Sequence, residues 1–252
     1  MNYEIRAMSF AEILDTGFRL VRNHFALLAG IGLVLYGPFA IMQELIGSGR
    51  PEAMGVGTAL ATFALSLLIV ALSPIAQGAM TLAIGDAYRG RSMTIGTAYR
   101  ASWRRVLALT GTFLLMGLGV MVGFLLLVIP GIYLALAWML AMQIVMLEGI
   151  AGSSALSRSR ELLRDHMMRA LGIFIVAAIV GGVISTVLQL LLSGIPIVRG
   201  VANAIAQSVT MAFYTGVGVV LYFDLRCRKE NFDLEHLAQL VEGAAAPAHP
   251  TA

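Results

Sequence analysis

The stretch TALATFALSLLIVALSPIAQGAMTLAI, at residues 58–84, decides the fold because it contains no charged residue. A hydrocarbon core about 30 Å thick is crossed by an α-helix of roughly 20 apolar residues, so this stretch is long enough to span a membrane. Pro74 lies inside it and removes one backbone hydrogen bond. We therefore expect a membrane helix that is kinked or tilted.

Five further stretches of the chain are apolar enough to span. The fourth predicted span is short and must include Gly131 or Gly149 to cross the membrane. Pro130-Gly131 predicts a tight turn before it. The sequence predicts an all-α fold, a polytopic membrane helical bundle of about six transmembrane helices with interfacial amphipathic helices. The six predicted spans are residues 25–45, 58–84, 106–129, 132–147, 170–192 and 201–223.

The composition of the whole chain agrees with this and excludes a soluble domain. Hydrophobic residues make up 59% of the 252 residues and charged residues 12%, and the mean hydropathy is +0.86. Soluble domains carry about 25% charged and about 45–50% apolar residues. The single cysteine, Cys227, excludes a disulfide framework and a cysteine-based zinc site.

The positive charges fall mainly on one side of the predicted spans. Of the 17 Arg and Lys residues, 15 lie on the side that carries the N-terminus, whereas Arg50 and Arg199 lie on the other. Positively charged loops stay in the cytoplasm, so both termini are expected there. Residues 1–22 lack the layout of a signal peptide, and no cleavage is expected. The net charge of +3 indicates topology and lipid contact, and we expect no nucleic-acid partner.

The domain organisation expected from these patterns is simple. Residues 1–230 form a single integral membrane domain. Residues 231–242 form a short cytoplasmic helix with apolar residues on one face, and residues 243–252 form a disordered tail.

A threefold internal repeat is visible around the predicted hairpins. LVRNH at 20–24 leads to Gly30-Ile31, LLRDH at 162–166 leads to Gly172-Ile173, and residues 98–105 are a looser middle copy. An acid lies near the end of each even-numbered span: Asp86, Glu148 and Asp224. The predicted unit is one surface helix followed by a two-span hairpin, used three times.

The surface helices are expected to be amphipathic and to lie in the headgroup plane. Ser9 and Glu12 have the spacing of a capping box, which predicts where the first helix begins. Arginine on the polar face of such a helix can reach anionic phosphates. The alternative is a linker that sets topology and has no specific lipid partner. The candidate headgroup contacts are Arg19, Arg22, Arg100, Arg104, Arg105, Arg160, Arg164 and Arg169.

The chain carries no motif typical of catalysis. It contains no His-Glu-x-x-His helix, no phosphate-binding glycine loop ending in Lys-Ser/Thr, and no Gly-x-Ser-x-Gly elbow. The four histidines do not cluster in the sequence. We therefore expect no catalytic residues, no metal site, no cofactor and no enzymatic activity.

Uncharged polar residues inside the spans are the second set of candidates, because polar groups in lipid normally face the bundle interior. One interpretation is that their side chains form hydrogen bonds between helices, and the other is that they line a substrate path. These residues are Gln77, Gln143, Gln189, Asn203 and Gln207. Gly119 and Gly123, together with Gly117, are typical of a close-packing helix face.

Several short motifs occur in a fixed order along the chain. They are Ser9-Phe10 with EILD at 12–15, YRG at 88–90, VIPGIY at 128–133, LEG at 147–149, ALSRS at 155–159 and LYFDLR at 221–226. Together they resemble the glycerophosphoryl diester phosphodiesterase membrane domain-like family of bacterial membrane proteins, over residues 8 to about 240.

The resemblance implies a six-span domain of the bacterial cytoplasmic (inner) membrane, which some relatives attach to a soluble phosphodiesterase barrel. That catalytic domain and its His-Arg-Gly-like motif are absent from this chain, so the family name implies no activity.

Two hypotheses of function follow. The first is a non-enzymatic membrane module that binds lipid, through anionic phospholipid headgroups, or a membrane protein partner. The second is a transporter or flippase-like carrier of an amphiphile, with the intramembrane glutamines along its path.

Overall fold

The computed structural model describes residues 6–47, 55–192 and 196–231, and these ranges contain no strand. The fold is therefore all-α, as predicted. The helices are α1 Phe10–Asn23, α2 Phe25–Gly47, α3 Val56–Tyr88, α4 Ile95–Trp103, α5 Val106–Leu126, α6 Val128–Ala137, α7 Ala141–Leu147, α8 Ser153–Leu163, α9 Met167–Leu192 and α10 Pro196–Glu230. The predicted C-terminal helix and tail lie outside the described residues, apart from Asn231.

Six helical stretches in the described ranges are long and apolar enough to cross a membrane. They are Phe25–Ile46, Val56–Tyr88, Val106–Leu126, Val128–Leu147, Met167–Leu191 and Gly200–Glu230. Each overlaps one predicted span, so the prediction of a helical membrane bundle with six spans is confirmed. Pro74 lies inside α3, which runs on through it to Tyr88.

The turn between the third and fourth spans is not where the sequence predicts it. α5 ends at Leu126 instead of residue 129, and Leu127 is the only residue between α5 and α6, in an extended conformation. Pro130 and Gly131 lie inside α6. A proline is tolerated in a first helical turn because the N–H that it lacks would have no partner there.

The fourth span is interrupted between α6 and α7. The Ala141 N–H bonds to the Trp138 carbonyl, which leaves the Ala137 carbonyl without its usual helical donor. Ser159 of α8 replaces that donor, since its hydroxyl donates to the Ala137 carbonyl at 2.8 Å and accepts the Leu140 N–H at 3.3 Å. A backbone group in an apolar layer must be satisfied internally, and this serine supplies the partner.

The order of the helices confirms the three-unit plan: α1, α4 and α8 precede the hairpins α2–α3, α5–α7 and α9–α10. Each short helix packs mainly on the hairpin of the preceding unit, so that α4 contacts α3, α8 contacts α7, and α1 contacts α10. The three units therefore interlock in a cyclic order that α1 closes on the third unit.

The core lies mainly where the second helices of the three hairpins meet. Tyr88 of α3 and Phe223 of α10 are fully buried, and their rings stack with centroids 5.1 Å apart.

We name the two ends of the bundle separately. The arginine-rich end is formed by α1, α4, α8 and the C-terminal ends of α3, α7 and α10. The far end of the bundle is called the opposite end.

The glycines of α5 differ in what they face. A methyl group at Gly119 would lie 2.4 Å from the Trp138 ring, and one at Gly123 would lie 2.9 Å from the Gly131 Cα. Both glycines therefore let α6 approach closely within the chain. Gly117, predicted to share this face, faces away, since nothing lies within 4 Å of a methyl group added there.

Candidate functional site

The carboxylate of Asp224 organises one half of the arginine-rich end. Its side chain is fully buried, and it accepts hydrogen bonds from Arg169 at 3.0 Å and from Arg228 at 3.1 Å. It also accepts the backbone N–H of Met8 at 2.6 Å, while both guanidinium groups donate to the Met8 carbonyl. One carboxylate thus joins α9, α10 and the segment that leads into α1.

A second ion-pair network ties α7 and α8 to α10. Glu148 accepts from Arg158 Nε at 3.1 Å and from the Tyr222 hydroxyl at 2.9 Å. Arg158 also pairs with Glu230, which pairs in turn with Arg226 at 2.8 Å. These contacts hold the third surface helix against the last helix of the bundle.

Sequence reasoning noticed Asp224 and Glu148 only as acids near span ends and missed the two networks. The spacing of Asp224 and Arg228, four residues apart on one helix, was the available local signal. The partner residues Arg158 and Arg169 come from other helices, so their pairing depends on tertiary packing.

Four of the eight predicted headgroup arginines bind other groups of the protein, and two of these, Arg105 and Arg169, are partly buried in their contacts with other helices. Arg169 binds Asp224, as described above. Arg105 donates from Nη1 to the carbonyls of Val145 and Met146, each at 2.9 Å. A cation near the C-terminal carbonyls of a helix is stabilised by the helix dipole, which explains the contact of Arg105 with α7.

Three other predicted arginines occupy matching positions. Arg22 lies in the last turn of α1, and Arg104 and Arg164 are the C-cap residues of α4 and α8. All three are exposed, and no hydrogen bond or ion pair of their side chains is found in the described residues. An exposed apolar residue follows each arginine three or four positions later: Phe25 at 48% exposure, Leu107 at 88% and Met168 at 79%.

The remaining predicted arginines have other surroundings. Arg19 pairs with Asp15 at 2.6 Å, and Arg100 is exposed. Arg160 donates from Nε to the Tyr133 hydroxyl at 3.1 Å. Tyr133 lies on α6, so Arg160 lies beside the α5–α6 hairpin.

The predicted capping box at the start of α1 is confirmed. The Glu12 N–H donates to the Ser9 hydroxyl at 3.3 Å, and the Ser9 N–H donates to the Glu12 carboxylate at 2.6 Å. Hydrogen bonds from Arg6 and Ser9 lower the pKa of Glu12 to about 2. The carboxylate therefore stays charged and keeps the N-terminal end of α1 fixed.

Four of the five predicted intramembrane polar residues line two cavities. Gln77 and Gln207 line one of about 310 Å³ with Tyr36, and Gln189 and Asn203 line one of about 420 Å³ nearer the opposite end. Gln207 donates to Asn203 at 3.5 Å, which links the two cavities along α10. Gln143 lies apart: it is buried beside Gly218, and its Oε1 has no hydrogen-bond partner among the described residues.

A family model described as Domain of unknown function (DUF8558) matches residues 91–246, which is more than half of the 252-residue chain. The chain belongs to the DUF8558 family. In this DUF8558 protein the match begins just before α4 and covers the second and third repeat units, including Asp224 and Arg164. No curated protein and no solved structure matches the chain. The resemblance of the sequence motifs to the glycerophosphoryl diester phosphodiesterase membrane domain-like family stays a prediction, because the family match does not test it.

Within the part of the DUF8558 chain that the structure describes, no group of three or more His, Cys, Asp and Glu residues is arranged to hold a metal ion.

Proposed function

We propose that this protein is a non-enzymatic module of the bacterial cytoplasmic membrane that binds anionic phospholipid headgroups at its arginine-rich end. The observation that carries the proposal is the repeated placement of Arg22, Arg104 and Arg164, each exposed and each followed by an exposed apolar residue. The two ion-pair networks support it, because they use other arginines to hold two of the surface helices, α1 and α8, in place.

The chemistry of the three positions suits a lipid surface. A guanidinium group binds phosphate oxygens in a bidentate manner. Phe25, Leu107 and Met168 place an apolar side chain beside each charge, as expected at the boundary between headgroups and acyl chains. The excess of arginine at this end favours the cytoplasmic leaflet, where anionic lipids attract basic residues.

The test replaces Arg22, Arg104 and Arg164 together with Gln. Each position is expected to lose about 1 kcal/mol, roughly fivefold in affinity for an anionic lipid. Native mass spectrometry of protein released from nanodiscs of phosphatidylglycerol and phosphatidylcholine would show fewer retained phosphatidylglycerol molecules.

The matched control is Arg19→Gln, because Asp15 already pairs with Arg19 at 2.6 Å. It should retain as many anionic lipids as the unsubstituted protein. Equal retention by the triple variant would contradict the proposal, and a stoichiometric protein companion in the same spectra would favour a scaffold for a membrane protein partner.

A carrier of an amphiphile is the second candidate, and the two linked polar cavities favour it. Gln77→Leu with Gln207→Leu should then reduce the movement of a labelled lipid in proteoliposomes to the rate in empty liposomes, whereas Thr62→Val, exposed on α3, should not. If the unsubstituted protein moves the label no faster than empty liposomes do, the carrier hypothesis is wrong.

A further inference from the structure

A groove of about 650 Å³ runs between α5 and α8, with α6 behind it. Arg22, Arg104 and Arg164, on which the proposed function depends, do not line this groove. Its volume falls within the range of about 300–1,000 Å³ that is typical of ligand sites.

The two walls of the groove differ in polarity. Leu115, Leu118 and Val122 line the α5 wall at helical spacing, so they share one apolar face. Ser153, Ser157 and Arg160 line the α8 wall, also on one face, and all three are exposed. In the described ranges neither serine hydroxyl makes a hydrogen bond. The groove therefore presents donors on one side and hydrocarbon on the other.

The guanidinium group of Arg160 is oriented by an aromatic ring. Its Nε donates to the Tyr133 hydroxyl at 3.1 Å, and its central carbon lies 5.7 Å from the ring centroid. Nothing else in the described residues bonds to it, so both terminal nitrogens are available. A guanidinium that is already oriented by such contacts loses little freedom when it binds a planar pair of oxygens.

The floor and the far end of the groove are apolar. Trp138 lines the floor and packs against Gly119, where an added methyl group would lie 2.4 Å from its ring. Where α5 ends, Leu126 is 72% exposed; Leu127 after it is 68% exposed, and Ile129, in the first turn of α6, is 81% exposed. A chain that leaves the groove there enters an apolar surface, which suits lipid hydrocarbon.

We propose that the groove binds one anionic phospholipid, with its phosphate at Arg160 and Ser157 and one acyl chain along α5. Charge complementarity carries the headgroup assignment, and the apolar α5 wall requires a hydrocarbon chain that free phosphate lacks. The inference rests on the proposed function in that the ligand is again an anionic lipid, but it assigns a separate site.

The two tryptophans of the chain, Trp103 and Trp138, make a direct test possible. In the full-length Trp103→Phe protein, Trp138 in the groove is the only tryptophan. The protein is reconstituted in vesicles that contain a fixed fraction of either phosphatidylglycerol or phosphatidylcholine with brominated acyl chains. Brominated phosphatidylglycerol should quench Trp138 fluorescence more strongly than brominated phosphatidylcholine does.

Adding Arg160→Gln should lower the preference for phosphatidylglycerol roughly tenfold, because a hydrogen bond to a charged group is lost. Arg160→Lys should retain part of the preference. Arg19→Gln, which lies outside the groove and is already paired with Asp15, should retain all of it, and millimolar inorganic phosphate should leave the quenching unchanged.

Equal quenching by the two brominated lipids in the Trp103→Phe protein would overturn the inference, and so would full preference in the Arg160→Gln variant. Displacement by inorganic phosphate would overturn the assignment to a lipid. These outcomes are independent of the triple variant at Arg22, Arg104 and Arg164, so the failure of this site and the failure of the proposed function are distinguishable.

Discussion

Asp224→Asn is expected to lower the free energy of unfolding by about 3–5 kcal/mol, since it removes the buried carboxylate charge that pairs with two arginines. The side chain of Asp224 is fully buried and binds Arg169, Arg228 and the Met8 N–H. An amide has one acceptor oxygen and would turn an NH₂ group toward donors. In detergent micelles, thermal unfolding should show a Tm lower by roughly 6–20 °C.

Asp15→Asn is the matched control, because its pair with Arg19 leaves the Asp15 side chain 58% exposed. An exposed pair contributes about 0–1 kcal/mol, so the Tm should change little. A Tm for Asp224→Asn equal to that of Asp15→Asn would show that the buried network does not stabilise the fold.

Asp224 also explains how the repeat closes into a cycle. The second and third surface helices follow directly on the hairpins that they contact, whereas α1 begins the chain and packs on α10 at its end. Asp224 binds the backbone of Met8, just before α1 begins. The cyclic order is thus maintained by hydrogen bonds from Asp224 and its two arginines to the Met8 backbone, at the point where α1 and α10 are not consecutive in the chain.

Local patterns in the sequence were sufficient for the elements of the fold. Hydropathy located the six spans because a helix in lipid needs an unbroken apolar stretch. The spacing of Ser9 and Glu12 located the start of α1 because a capping box involves only neighbouring residues. The turn at Leu127 was misplaced because proline and glycine indicate irregular structure in general, and here they fit inside α6.

The candidate site was only partly predictable. The repeat relates Arg22 to Arg164 in the sequence, and both are exposed as expected. Arg105 and Arg169 look no different from them in composition, yet their side chains bind α7 carbonyls and Asp224. Which arginine is engaged depends on what another helix places opposite it, and a single sequence holds no information on helix neighbours.

The packing of α2 against α10 gives the second large effect. The two helices share an extensive contact, and a methyl group added at Gly32 would lie 2.4 Å from the Ser208 Cβ and 2.7 Å from its Cα. A backbone atom at that distance cannot move aside as a side chain can. Gly32→Leu should therefore separate the helices and cost about 1–3 kcal/mol or more.

Gly117→Leu, in the middle of α5, provides the control, since nothing lies within 4 Å of a Cβ added there. It replaces glycine by a better helix former and should leave the Tm unchanged or raise it. Because Tyr36 of α2 and Gln207 of α10 line the same cavity, the separation caused by Gly32→Leu should also change that cavity. A Tm of Gly32→Leu equal to that of Gly117→Leu would mean that the close contact between α2 and α10 does not exist in the membrane.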